Sequence, residues 1–369
     1  MSRRSIASSP RRIIPNRGDR AYELMVSAIE DELALEGDLA PTVEGPWLVI
    51  DDLGGSVVQA LEAHGQQAVW WRRRDLSPEG DAPPCAPWPE GGPFAGVALR
   101  LSRARPELAM CIELAAAHLM PGGVIWLYGA NDEGAKSAGK VLAPWFGSVG
   151  TITTKSHCRL WWGRASDPGA ARGTLDNWCS TDTVDLPLGP AQVASYPGCF
   201  AGGTLDPGTA MLLDALRGLQ ADGLAPARVL DFCCGPGVSA IGVRQIFGLQ
   251  AALSLVDHDA LATHAASTNV TGAHMAVGDG WSGVSALPQS TGFDLIVSNP
   301  PIHRGKALDL GVVDDLVTWG ARALAPGGSL VMVIQRQRKV EPSLEALFHE
   351  VTVLEEDTRF RVWLARRPR

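Results

Sequence analysis

Apolar stretches of strand length alternate with amphipathic stretches of helix length through the second half of this 369-residue chain, and that alternation limits the fold more than any other feature. Arg228–Asp231 reads as a strand, a glycine turn follows, and Val238–Phe247 reads as a helix. Leu253–Val256 is the next strand and Leu261–Asn269 the next helix. His274–Val277 and Phe293–Ser298 are further strands, Val312–Ala323 is a helix, and Pro326-Gly327-Gly328 leads into the strand Ser329–Ile334. Strands separated by helices join in parallel through crossovers, which predicts an α/β, doubly wound, Rossmann-like sheet. Such sheets bind ligands at the carboxyl ends of their strands. The residues just after each strand are therefore where chemistry is expected.

The first half repeats this order loosely. Trp47–Asp51, Gln67–Trp71, Gly96–Leu101 and Val124–Tyr128 read as strands, Val57–Ala63 and Glu107–Leu119 as helices. Pro121-Gly122-Gly123 stands before the last strand as Pro326-Gly327-Gly328 does in the second half. The repeat fails where chemistry is expected: Asp51-Asp52-Leu53-Gly54-Gly55 is a poor glycine loop, and Leu99-Arg100-Leu101-Ser102 ends the strand that should match Phe293–Ser298. The chain is thus expected to hold two tandem domains of one architecture, the first degenerate and without cofactor. The boundaries are a basic, disordered tail at 1–20, a first domain at 21–172 and a second at 173–369. Ala165–Leu205 reads as loop, as does Pro83–Pro93 with its five prolines.

Composition narrows the class. Hydrophobic residues at 46% with 20% charged suit a soluble α/β protein, and no apolar run reaches membrane-spanning length. The first twenty residues hold six arginines against one aspartate, while the whole chain carries −8, so the remainder is more acidic still. A nucleic-acid partner must be met by local basic patches. Seven cysteines, odd in number and lacking a CxxC pair, support neither a zinc site nor a disulfide framework and fit a reducing cytoplasm.

Phe293–Ser298 breaks into Asn299-Pro300-Pro301-Ile302-His303. Each proline fixes its φ and lacks an N–H, so the loop carbonyls cannot all be consumed by local turns. With the Asn299 amide oxygen they suit capture of a flat, amino-bearing group; the plain alternative is a proline-stiffened loop. Two acceptors, Asn299 Oδ1 and the Pro300 carbonyl, can hold the hydrogens of an exocyclic amine and turn its delocalised lone pair toward an electrophile. His303 is either a proton relay or a polar loop residue. Some sixty residues upstream, Asp231-Phe232-Cys233-Cys234-Gly235-Pro236-Gly237 has the form of a cofactor turn, since Gly235 and Gly237 permit positive φ and close backbone approach at a helix start. Asp257, the first polar residue after the next strand, suits a ribose diol, or else caps a helix, a role Asp259 can also fill. Gly278-Asp279-Gly280 offers an acceptor for an adenine amino group, or is a simple turn.

Asp231–Gly237, Asp257, Asp279 and Asn299–Pro301 in this order resemble a class I S-adenosylmethionine-dependent methyltransferase. The Asn-Pro-Pro-x-His form is similar to bacterial small-subunit ribosomal RNA guanine-N2 methyltransferases built from two tandem methyltransferase-like domains. Gly203–Thr209 resembles that family's Leu-Asp-x-Gly signature, Thr358–Trp363 its closing strand, and Tyr128–Gly134 with Lys155–Cys158 its degenerate first domain. The resemblance implies S-adenosyl-L-methionine as cofactor, held by Asp231, Cys233, Gly235, Gly237, Asp257, Asp279, Gly280, Asp206 and Thr209. It implies catalysis at Asn299, Pro300, Pro301 and His303, with a guanine 2-amino group as target. The implied partner is ribosomal RNA or an assembling subunit, met by Ile302, Arg304 and the basic loop Arg336, Arg338 and Lys339, with Arg72-Arg73-Arg74 and the N-terminal arginines adding to the phosphate footprint. A cytoplasmic monomer with no metal and no membrane contact is expected. Two departures stand out: Cys233 replaces a usual glycine, and Ile302 replaces an aromatic that would stack on the base. Methylation of a protein glutamine amide, and a non-catalytic nucleoside- or RNA-binding protein, are the competing readings.

Overall fold

Continuous Val, Ile, Leu and Trp runs in the strands leave no face for water, which is what a sheet covered by helices on both sides requires. The computed structural model describes residues 19–34, 39–76, 82–165, 174–248, 250–301, 303–304, 307–308 and 311–368. The described chain falls into two compact units: one within Met1–Arg72, Leu76–Pro84 and Pro89–Thr174, the other within Arg73–Asp75, Cys85–Trp88 and Leu175–Arg369.

The first unit opens with helix α1 (Asp19–Ala34), which the sequence reading passed over although Ala21, Leu24, Met25, Ala28 and Ile29 form one buried helical face. Only Asp19 and Arg20 of the expected tail are described, and they start that helix. There follow β1 (Trp47–Ile50), α2 (Ser56–Ala63), β2 (Ala68–Trp71), β3 (Phe94–Arg100), α3 (Arg105–His118), β4 (Leu119–Ala130), α4 (Gly139–Leu142), β5 (Ser148–Lys155) and β6 (Cys158–Arg164). The sheet order is β2-β1-β3-β4-β6-β5. The first three pairings are parallel and those made by β6 antiparallel.

The second unit begins with a correction. The expected loop Ala165–Leu205 contains a hairpin, β7 (Ser180–Leu186) paired antiparallel with β8 (Gly189–Ser195). Val184, Leu186, Val193 and Ala194 are buried, but the Ser, Thr, Asp, Gly and Pro around them masked the strands. Then come α5 (Pro207–Ala221), β9 (Arg228–Phe232), α6 (Val238–Phe247), β10 (Ala252–Asp257), α7 (Ala260–Asn269), β11 (His274–Val277), α8 (Trp281–Ala286) and β12 (Phe293–Ser298). The short pair β13 (His303–Arg304) and β14 (Ala307–Leu308), then α9 (Gly311–Ala323), β15 (Leu324–Gln335), α10 (Glu341–Leu347), β16 (Phe348–Glu356) and β17 (Phe360–Pro368) complete it. The sheet order is β11-β10-β9-β12-β15-β17-β16, parallel through β15 and antiparallel at β17 and β16. Alternate residues feed opposite faces: Val229, Leu295 and Val331 pack with α5, α6 and α7, while Leu230, Ile296 and Leu330 pack with α8, α9 and α10. Full burial of such a side chain stabilises by roughly 1.5–3 kcal/mol.

The shared Pro-Gly-Gly proves to be a bulge inside a strand. In the first unit register steps from Phe94↔Leu119 to Gly96↔Val124, and in the second from Phe293↔Leu324 to Leu295↔Ser329. Gly122 and Gly327 take φ of 79° and 82°, which only glycine adopts without strain.

Candidate functional site

The central strand β9 ends in Asp231-Phe232, and the chain then turns through Cys233 (φ 63°), Gly235 (φ 54°) and Gly237 (φ 86°) into α6. Gly237 is the N-cap, and no side chain caps the helix. The turn is tied to its neighbours. The Cys234 N–H donates to the Val256 carbonyl (3.0 Å), the Gly235 N–H to Asp257 Oδ2 (2.8 Å), and the Ser298 hydroxyl to the Phe232 carbonyl (2.6 Å). From the other side the Asn269 amide donates to both the Pro236 and Ala194 carbonyls (2.8 Å each) and accepts the Ala194 N–H. Ser298 and Asn269 were not singled out from sequence: one looks like the tail of a strand, the other like the end of a helix.

Asp231 sits inside this frame, 2% exposed, and among the described residues neither carboxylate oxygen has a hydrogen-bond partner. Burial first, then the charge of Asp257, pushes its pKa up to about 7; the Ala240 N–H tempers the shift without reaching hydrogen-bond geometry. A buried carboxylate without partners is costly. It fits a site that receives a cation.

At the end of β12 the Asn299 amide is fixed by two contacts. Nδ2 donates to Asp206 Oδ2 (2.9 Å) and Thr209 Oγ1 (3.0 Å). A carboxylate only accepts, so the atom facing Asp206 must be the amide nitrogen, and Oδ1 is turned away from both. Asp206 is itself anchored as the N-cap of α5, accepting the Gly208 and Thr209 N–H groups (2.8 and 3.1 Å). The sequence placed Asp206 and Thr209 with the cofactor residues; of that set only these two and Cys233 line one cleft with Asn299, and the two also aim the Asn299 amide. That cleft measures about 300 Å3 with its open mouth and is walled by Phe200, Thr209, Cys233, Pro236, Ser239 and Asn299, among others. Phe200, 52% exposed, had no sequence signal marking it.

Asp257 and Asp279 lie at the ends of β10 and β11, outside the lining of that cleft. Asp257 Oδ1 accepts the Asp259 N–H (3.0 Å) and lies 3.1 Å from His258 Nδ1. Burial opposes protonation of His258, but the hydrogen bond and charge of Asp257 outweigh it and raise its pKa. The capping role left open for Asp257 belongs to Asp259, which accepts the Leu261 and Ala262 N–H groups. Gly280 takes φ 57°, ψ −129°, the hinge between the Asp279 turn and α8. Pro300 is buried and Pro301 half-buried beside Asn299. Ile302 and the side chains of His303 and Arg304 lie outside the described residues; the backbone of His303 and Arg304 pairs with Leu308 and Ala307.

Of the basic loop, Lys339 is exposed and Arg336 is half-exposed beside Glu356 (2.8 Å), while the Arg338 side chain is 11% exposed and points toward Asp314. Arg72 and Arg73 leave the expected phosphate footprint, being 7% and 1% exposed. Arg72 donates twice to the Pro83 carbonyl, and Arg73 pairs with Asp259 (2.8 Å). Strand ends with polar termini look alike in sequence whether the side chain turns out or in. Among the described residues no cluster of three or more His, Cys, Asp or Glu could hold a metal ion, and no helix is long and apolar enough to cross a membrane.

Known proteins align with this architecture. The family description "Methyltransferase small domain" matches residues 190–364, and "Methyltransferase small domain N-terminal" matches residues 82–181. A ribosomal RNA small subunit methyltransferase C from Pseudomonas putida is 31% identical over 88% of this chain and 96% of its own length. One from Pseudomonas paraeruginosa is 34% identical over 75% and 80%. Among solved structures, the T. thermophilus 16S rRNA N2 G1207 methyltransferase in complex with AdoMet and guanosine superposes with TM-score 0.78 at 22% identity, covering 95% of this chain and 92% of that one.

Proposed function

Because this chain belongs to the ribosomal RNA small subunit methyltransferase C family, we propose that it transfers a methyl group to the exocyclic 2-amino group of a guanine in small-subunit ribosomal RNA. S-adenosylmethionine supplies the electrophilic methyl carbon. The residues present fit that cofactor: Asp231 offers an unpartnered buried carboxylate to an ammonium, and the uncapped N-terminus of α6 offers N–H groups to a carboxylate. Asp257 and Asp279 would take the ribose and the adenine from the ends of β10 and β11.

The observation that carries the reading is the fixed amide of Asn299. With Nδ2 committed to Asp206 and Thr209, Oδ1 is a preset acceptor beside the Asp231–Gly237 turn. Asn299 Oδ1 and the Pro300 carbonyl accept the two amine hydrogens, which holds the nitrogen lone pair toward the cleft. Positioning of this kind reaches effective molarities of about 10⁵–10⁸ M. As the N–C bond formed, the methyl carbon's bond to the sulfonium sulfur would break with its electron pair left on the neutral thioether, and the proton released by the amine is one we assign to His303. Arg304, Arg336 and Lys339 are the cations we assign to the RNA backbone, and base capture at Ile302 rests on apolar contact without ring stacking. Cytoplasmic ribosomal RNA, naked or in an assembling subunit, is the partner this chemistry serves.

The test is direct: incubate the full chain with isotope-labelled S-adenosylmethionine and small-subunit particles or RNA, digest to nucleosides, and separate them. Label in N2-methylguanosine is expected. Label in another nucleoside, or in protein glutamine alone, overturns the assignment.

A further inference from the structure

Arg73, Arg74 and Asp75 form a three-residue segment that clusters with the second unit although its flanking residues belong to the first. It lies along the loop that carries Asp257. The Ala260 N–H donates to the Arg73 carbonyl (2.9 Å) and the Asp75 N–H to the His258 carbonyl (2.8 Å), so two backbone bonds bracket Asp259. Both arginines then grip that aspartate: Arg73 Nε meets Asp259 Oδ1 at 2.8 Å and Arg74 Nε meets Oδ2 at 3.1 Å. The buried Arg73 guanidinium also donates to the Pro197 carbonyl (3.1 Å), three residues before Phe200 in the cleft wall. Asp75 Oδ2 accepts the N–H of Asp279 (3.1 Å). One short segment therefore touches the loops after β10 and β11 and the chain entering the cleft wall.

We infer that Arg73, Arg74 and Asp75 are positioning residues for the cofactor's nucleoside half, holding Asp257 and Asp279 at a fixed separation; this rests on the reading that those two aspartates bind it. The physics favours a brace over a binding contact. Two cations on one carboxylate leave no charge to offer a ligand, and charge-assisted bonds at a buried carboxylate are stiff. Burial would raise the Asp259 pKa, but Arg73 and then Arg74 hold it down at about 2, so the brace stays charged across the working pH range. Asp257 gains from this indirectly, since its Oδ1 accepts the N–H of the same Asp259.

The experiment compares S-adenosylmethionine affinity by calorimetry and steady-state KM for cofactor and RNA in the full chain and three variants. Arg73→Met keeps the stem and removes the charge; Asp75→Ala removes the link to Asp279; Asp257→Ala reports whether the ribose reading holds. We expect Arg73→Met and Asp75→Ala to weaken cofactor binding roughly tenfold and threefold, with KM for RNA unchanged. A merely structural role would instead lower the folded fraction and leave the affinity of the folded protein alone. If Arg73→Met does not fold, Asp75→Ala decides, because it leaves the buried ion pair intact. Cofactor affinity unchanged in folded Asp75→Ala and Arg73→Met, with Asp257→Ala weakened, overturns the brace alone. Affinity unchanged in Asp257→Ala overturns the ribose assignment beneath it.

Discussion

In the first unit β1 ends at Ile50, Asp51 takes φ 58°, and Gly55 at φ 72° caps α2; in the second β9 ends at Phe232, Cys233 takes φ 63°, and Gly237 at φ 86° caps α6. The two turns have the same length and are left-handed at their first and last positions, but the left-handed Gly235 (φ 54°) has no counterpart at Leu53. Sheet register extends the match. Ile50 pairs with Trp71 and Leu99, as Phe232 pairs with Val256 and Ser298. Arg72 thus stands where Asp257 does, Arg100 where Asn299 does, and Val49 where Asp231 does. The contents are reversed. Asp52, fully buried, sends Oδ2 to the Val57 and Val58 N–H groups (2.8 and 3.2 Å), occupying the helix start that α6 leaves open. Arg100 is locked to Glu133 (2.7 Å) and lies over Tyr22 and Tyr128. The first sheet, among the described residues, also lacks a strand in the place of β11, which carries the Asp279 turn. The first unit thus keeps the scaffold while a carboxylate of its own occupies the helix start.

The two units should differ most at Asn299 and its counterpart Arg100. Asn299→Ala removes the preset acceptor, and we expect kcat to fall by at least ~10²-fold with cofactor affinity nearly intact. Arg100→Ala, at the matching position, is expected to lower stability with kcat unchanged. Single-turnover rates and thermal melts on the two variants decide it; equal losses of turnover would show that the units are not divided into chemistry and scaffold.

The next test moves the plug. Cys234 occupies the position of Asp52, and Cys234→Asp sets a carboxylate where it can take the first N–H groups of α6. It also adds a like charge near Asp231 and Asp257. We expect cofactor affinity to drop roughly 10- to 100-fold, the worth of one charge-assisted bond, measured by calorimetry on protein whose melt is still cooperative. Wild-type affinity would mean the helix start is not the carboxylate site.

How much of this was legible? The order of the parallel strands in both units was, because strands buried on both faces read as plain apolar runs. So was the place of Asp231, Gly235, Gly237 and Asn299 at the ends of β9 and β12, because a polar or glycine residue directly after such a run marks where a buried strand stops. The hairpin β7–β8 was not, since its polar face and Pro187-Leu188-Gly189 turn have the composition of a loop. Nor was the inward turn of Arg72 and Arg73, nor the excursion of Arg73–Asp75 into the second unit, because side-chain direction after a strand depends on what the fold brings opposite. The same limit hid the partners of Asn299: Asp206 and Thr209 lie 93 and 90 residues upstream.

Asp231 offers a subtler contrast with Val49. Its folded-state pKa of about 7 lies above the ordinary carboxyl value. Its protonation thus stabilises the ligand-free protein fully below about pH 4, and that contribution is lost as pH climbs through about 7. Binding an ammonium has the opposite sign, because it needs the carboxylate ionised. Cofactor affinity is therefore expected to rise through about pH 7 and to fall above about pH 8, where an α-amino group loses its own proton. Asp231→Asn should flatten the lower limb and raise the melting temperature at pH 8. A rising limb that survives in Asp231→Asn would assign it to another group.

The smallest expected effect sits in the first unit. Asp52→Ala unties the Val57 and Val58 N–H groups at the start of α2 and leaves the helix start buried without an acceptor, so it is expected to cost about 1–2 kcal/mol, as loss of an N-cap does. Turnover and cofactor affinity should not change, because the cofactor residues we propose lie in the second unit. The outcome matters for the comparison because the same side-chain deletion also empties the anion site: if the first unit's turn is a cofactor turn closed only by Asp52, the variant gains weak carboxylate binding there. Val49 argues against that gain, since no acid remains at its position to meet an ammonium, and half of the ligand's charge would go unmatched. Calorimetry of Asp52→Ala combined with Asp257→Ala, where the second site is weakened, separates the cases: residual binding no tighter than in Asp257→Ala alone means that the first unit lost its ligand at Val49 and Arg72 as well as at Asp52.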